Sequence, residues 1–245
     1  MNAVVGPVRR NQRHKRCASK QPQKGVKVRQ AKLVGAAIAA LLALSAIAAA
    51  SALAALPEFS PATDRGTSRI TGTAQFTEEG SLFAVKCTSS EGESNITGAK
   101  GGNFTEHFKS CSTGGGLIKC TGLPSEPTGT ITVSGSFRLV YLSRANKEAG
   151  IAFEPSTVHF ECGENLITVN GCAVGKVTPV NSKTTSFSVA LKQRSGRMEP
   201  GSYEAEGGGS VSCTLKSEKN GGAAREGGQE NTDSITEERA GEIVA

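Results

Sequence analysis

The sequence predicts an all-β fold, an antiparallel β-sandwich, behind an N-terminal signal or transmembrane helix. Three observations predict it. Short alternations rich in Val, Ile, Phe and Thr recur between about residues 69 and 217, separated by Gly, Pro, Asn and Ser. No window in that stretch repeats at the helical 3.6-residue period. Six cysteines fall in the same part of the chain, three of them at apolar positions of the alternation. A variant of this reading is two related small β-halves, because Phe83–Cys87 and Phe160–Cys162 are each followed by an Ile-Thr pair and a Gly-Lys pair or near-pair.

The elements follow in chain order. Residues 1–32 hold ten Lys and Arg and no acid. Residues 33–56 carry no charge, and as a helix would span about 36 Å, enough to cross a bilayer core. The triplets Ala50-Ser51-Ala52 and Ala52-Leu53-Ala54 resemble signal-peptidase sites. Residues 1–54 therefore read as a basic leader plus signal peptide, or as an uncleaved membrane anchor with its C-terminus outside. Residues 55–68, with Pro57 and Pro61, read as a linker, 69–217 as the sandwich, and 218–245 as a disordered acidic tail with 7 acids and 3 bases.

Within 69–217 the dry faces are Phe83, Val85, Cys87; Phe137, Leu139, Tyr141; Val158, Phe160, Cys162; Phe187, Val189, Leu191; and Val211, Cys213, Leu215. Asn170-Gly171 reads as a tight turn. The Cys111–Cys120 segment around Gly114-Gly115-Gly116 reads as a closed loop. Six cysteines allow 15 connectivities, and the expected set is 111–120, 87–162 and 172–213. No Cys-x-x-Cys spacing supports zinc or thioredoxin-like chemistry.

Charge and residue supply exclude several functions. The net charge of +6 comes from the leader; without it 18 bases face 22 acids, so a nucleic-acid partner is not expected. Asp occurs only at 64 and 233, both outside the expected fold, which leaves aspartic dyads and Asp-based triads without material. Phosphate-binding and nucleophile-elbow motifs are missing. His159 and Glu161 share the wet face of one strand, with Thr157 beside them, and form a triad-like set for a hydrolase; Glu106-His107 invites the same reading. A metal pair of His107 and His159 lacks a third ligand in sequence. Glycoside cleavage would need a pair among Glu154, Glu161, Glu204 and Glu206, without Trp to stack on sugar.

The stretch from Leu56 to about Gln193 resembles a group of uncharacterised exported β-rich proteins of high-GC Gram-positive bacteria. The resembling pieces are Leu56-Pro57-Glu58-Phe59, Cys87-Thr88-Ser89-Ser90, Thr97-Gly98-Ala99-Lys100, the Cys111/Cys120 loop, Gly129-Thr130-Ile131, Leu139-Val140-Tyr141-Leu142 and Gly175-Lys176-Val177-Thr178-Pro179-Val180-Asn181. The resemblance implies export and a β fold, and no activity. It also implies that Cys172 and Cys213, beyond the group's four cysteines, are an added pair.

These readings combine into an expectation: a secreted or cell-envelope module with a non-enzymatic binding or structural role for an unknown extracellular ligand. No catalytic residue, metal site or cofactor is expected, and membrane contact only through the N-terminal segment. The alternatives are an extracytoplasmic hydrolase using Glu and His, and an anchored surface domain. Surface-site candidates are His159, Glu161 and Tyr203, with the 111–120 and 194–209 loops as the regions to scan.

Overall fold

A computed structural model describes residues 55–245. The leader, signal and anchor readings lie outside the described residues. The all-β antiparallel expectation holds throughout them, and the pattern of pairing adds closure.

The wall consists of eight staves. The first is β2 (Asp64–Glu78), preceded by the short β1 (Glu58–Ser60). The second is β3 (Ala84–Cys87) running on into β4 (Ser89–Gly98). The third is β5 (Gly101–Lys109) with β6 (Ser112–Thr113), and the fourth β7 (Ile118–Gly122) with β8 (Ile131–Ser143). The fifth is β9 (Glu148–Pro155) with β10 (Val158–Cys162), and the sixth β11 (Asn165–Gly171) with β12 (Ala173–Thr178). The seventh is β13 (Thr184–Leu191). It is continued after an excursion by β18 (Leu215–Lys219). The excursion holds β14 (Gln193–Arg194), β15 (Arg197–Met198), β16 (Ser202–Glu204) and β17 (Ser210–Ser212). The eighth stave is β19 (Arg225–Val244).

Each stave pairs antiparallel with the next, and the eighth pairs with the first from Gly227↔Glu78 to Glu237↔Gly66. The two expected sheets are thus two sides of one up-and-down sheet closed on itself. Sandwich and barrel produce the same alternation; only the closing pair separates them. The two similar segments, Phe83–Cys87 and Phe160–Cys162, fall on the second and fifth staves of this one sheet.

Two boundaries are corrected with it. Residues 218–245, expected to be disordered, supply β19, which pairs with β1, β2, β13 and β18. Its inward positions are largely polar or Gly, so composition hid a strand that tertiary pairing holds. The expected linker contains β1 and the start of β2, and Phe59 packs edge-on against Phe137 in the interior. Asn170-Gly171 is not a hairpin turn: it joins β11 to β12 within the sixth stave. Gly171 has φ 106°, and a Cβ there would lie 2.3 Å from the Thr214 carbonyl oxygen.

The cysteine pairing also differs. Cys87, Cys111, Cys120 and Cys162 lie on the second to fifth staves, in one row across the wall, and are joined 87–111 and 120–162. Pairing 111 with 120 would leave Cys87 and Cys162 three strand spacings apart, about 14 Å, beyond disulfide reach. The third pair, 172–213, is as expected, and ties the excursion to the sixth stave.

Inward side chains form two apolar clusters stacked along the interior, one with Phe76, Phe160 and Leu215, the other with Phe137, Leu139 and Val189. A third cluster, Val140, Ala152, Val174, Tyr203 and Cys213, lies where the excursion covers the wall. Exposed charges such as Arg65, Arg69, Glu91 and Glu93 stud the outward face, the reverse of a lipid-facing barrel. Leu82 and Leu117 stand exposed on loops at the end where the first stave finishes. No helix among the described residues is long and apolar enough to cross a membrane.

Candidate functional site

Midway along the interior the apolar lining is broken by a belt of polar side chains. β5 contributes Glu106, flanked on its inward face by Phe104 and Phe108. β2 contributes Ser68, β4 contributes Ser90 and Ser94, and β19 contributes Gln229, Asn231, Asp233 and Glu237. Eight-stranded barrels are wide enough to fill with side chains or to hold one small ligand. Here the packing leaves a cavity of about 150 Å³ on one side of the belt and one of about 40 Å³ on the other. Phe104, Phe153, Glu106 and Asp233 line both, so the acids stand between them.

Two glycines make room for the acids. A Cβ on Gly92 would lie 2.0 Å from Glu106 Oε2 and 2.5 Å from Ser68 Oγ. A Cβ on Gly66 would lie 2.9 Å from Glu237 Oε2. Real Cβ atoms do not approach so closely, so any side chain at either position displaces a carboxyl group.

The acids are unequally satisfied. Glu106 accepts hydrogen bonds from the hydroxyls of both Ser68 and Ser90. Asp233 Oδ2 accepts from Asn231 Nδ2 at 2.7 Å, and Asn231 Oδ1 accepts from Gln229 Nε2 at 2.9 Å. Asp233 Oδ1, Glu237 Oε2 and Ser94 Oγ are buried without a hydrogen-bond partner. The residues directly across from Asp233 are Ile70 on β2 and Val189 on β13, neither of which carries a polar side chain. Burial, then the neighbouring Glu106 charge, pushes the Asp233 carboxyl up to about 7 against the pull of Asn231. Burial, then Asp64 and Glu238, pushes Glu237 up to about 7.

Asp64 behaves oppositely. Burial acts to raise it, but hydrogen bonds from the Arg65 amide and from the amide and guanidinium of Arg239 outweigh that and hold it low. Both aspartates are thus inside the folded unit, correcting the reading that placed them outside it.

Of the residues singled out from sequence, Glu106 lies in the belt and the others lie elsewhere. His159 and Glu161 are exposed on β10, as expected, but His159 Nδ1 meets Thr168 Oγ1 at 3.1 Å, across the strand pair. His107 Nδ1 meets Thr132 Oγ1 at 2.8 Å. Glu154, Glu204 and Glu206 are held by Arg138, Arg144 and Lys100. Tyr203 is corrected: it is 6% exposed, its hydroxyl accepts from Arg138 Nη2, and the same guanidinium lies 5.3 Å from its ring centre. The 194–209 region is the excursion that seals the wall, and Arg194 pairs with Glu199 at 2.9 Å. No group of three metal-ligating side chains occurs among the described residues.

Compared with protein families, curated proteins and solved structures, the chain matches none. The interior is therefore the basis for a functional reading. It is an apolar chamber with an acidic, partly unsatisfied belt, enclosed by a disulfide-braced wall.

Proposed function

We propose that the protein is an exported, non-enzymatic binding module that holds one small, largely apolar molecule inside its closed sheet. The observation that carries this reading is the 150 Å³ cavity walled by Phe76, Phe104, Phe108, Phe153 and Leu191. An apolar cavity of that size in a protein core accepts a benzene-sized guest. Concave apolar space with a few convergent polar groups is the usual form of a ligand site.

Export is supported by the three disulfides, which fit an oxidising compartment, and by the uncharged stretch after a basic leader. In this reading the wall is the scaffold and the interior is the site. His159 and Glu161 are then solvated surface.

The test is a thermal-shift titration with toluene on the full chain and on Ala173→Leu, which places a larger side chain on the cavity wall. Toluene is expected to raise Tm saturably in the native chain and to lose most of that effect in the variant. No saturable shift in the native chain would overturn the reading.

A further inference from the structure

The lining of the same cavity restricts the chemistry of its guest, an inference that rests on the binding role proposed for the interior. The walls of the two cavities include three acids, Glu106, Asp233 and Glu237, and no Lys, Arg or His. A buried carboxyl group ordinarily acquires a cationic partner or a full set of hydrogen bonds. Glu106 has its two serines, whereas one oxygen of Asp233 has nothing. Its cross-strand neighbours, Ile70 and Val189, have no polar side chain to turn toward it.

We infer that the cavity is built for a compact apolar amine, its ammonium group set against the free Oδ1 of Asp233 and its hydrocarbon body among Phe104, Phe153 and Leu191. An ammonium supplies the missing donor and offsets the acids together. A neutral guest of equal shape supplies at most the donor. An anionic guest adds like charge and is rejected.

A proton accompanies the event. The groups facing Asp233 are Glu106 from β5, Ser68 and Ile70 from β2, Ser94 from β4, Val189 from β13, and Asn231 and Glu237 on its own strand. Burial, and then the Glu106 charge, disfavour a negative charge on Asp233, so the ligand-free Asp233 is partly protonated near neutrality. An ammonium reverses that balance, and Asp233 loses its proton as the amine enters.

The experiment is calorimetry on the full chain at pH 7 with benzylamine, its isostere benzyl alcohol, and benzoate, in two buffers of different ionisation enthalpy. Benzylamine is expected to bind at least roughly tenfold tighter than benzyl alcohol, as a charge-assisted hydrogen bond implies, and benzoate not at all. Binding of the amine should release about half a proton, since Asp233 is about half protonated there, and binding of the alcohol none. Asp233→Asn should abolish the preference; Glu237→Gln should keep it. The proton count in the native chain stands even where Asp233→Asn folds poorly. Equal binding of amine and alcohol, or no proton release, overturns the amine assignment and leaves the cavity reading intact. Failure of toluene to bind in the thermal-shift titration overturns the cavity reading and this assignment with it.

Discussion

Gly92 and Glu106 face each other across β4 and β5, so close that a methyl group on Gly92 would sit 2.0 Å from the Glu106 carboxyl oxygen. The glycine is the space the buried acid occupies. Gly92→Ala is therefore expected to lower stability by about 1–3 kcal/mol, as overpacked interiors do. Adding Glu106→Ala should recover only part of it, because the Thr105 carbonyl oxygen also lies 2.6 Å from the added carbon. Urea unfolding of the two variants and of Glu106→Ala closes the cycle. A full additive loss contradicts the contact.

The second prediction concerns pH. Asp233 and Glu237 are raised from ordinary values of 3.8 and 4.5 to about 7. Between those values the folded chain binds more protons than the unfolded one. Stability therefore falls as pH rises from about 4 to about 7, by up to about 1.4 kcal/mol per pH unit for each group, and then levels. Asp64, held low, works in the other direction: its contribution is present above 3.8 and is lost on further acidification. Urea midpoints from pH 3 to 8 should peak near pH 4–5, and Asp233→Asn should flatten the limb between 4 and 7.

The third concerns the cysteine row. Trypsin cuts after Lys109 and Lys119 and so separates Cys111 from Cys120. Under non-reducing conditions the peptide with Cys111 should carry the peptide beginning at Cys87. Replacing the Cys87–Cys111 pair with serines should cost about 3–4 kcal/mol in the chain-entropy account. Cys111 and Cys120 are also cross-strand neighbours, so a Cys111–Cys120 linkage in the native protein would contradict the 87–111 and 120–162 pairing and leave Cys87 and Cys162 too far apart to join.

Much of the wall was legible from the alternation of Phe187, Val189 and Leu191 or of Phe160 and Cys162, all of them buried. Closure was not, because the closing strand reads as an acidic tail. Its inward positions run Gln229, Asn231, Asp233, Ile235, Glu237, and only Ile235 signals a core. The same belt is the candidate site, so one feature of composition hid both. Phe104-x-Glu106-x-Phe108 did hold a usable signal: an acid between two aromatics on one strand face is a buried acid. Exposed His159 and Glu161 carry more familiar chemistry and outweigh it in sequence. Pairing of the cysteines needed the order of staves, which spacing in sequence does not contain. Tyr203 looked like an interface residue because nothing in sequence shows that Arg138 covers it.

The fourth prediction follows from closure. Removing residues 225–245 takes out the eighth stave and leaves β2 and β13 with open edges. The truncated chain should not reach a cooperative fold, seen as loss of a sharp thermal transition. An unchanged transition would return the segment to the status of a tail.

The central claim is that the interior of the closed sheet is the binding site. The most direct measurement is methyl NMR of the full chain titrated with toluene. The account predicts saturable shifts at the methyl groups of Ala74, Val133, Val169 and Leu191, which line the cavity, with Leu82 and Leu117 on the exposed loops unmoved. Shifts confined to those two loop leucines, or none at all, would contradict it.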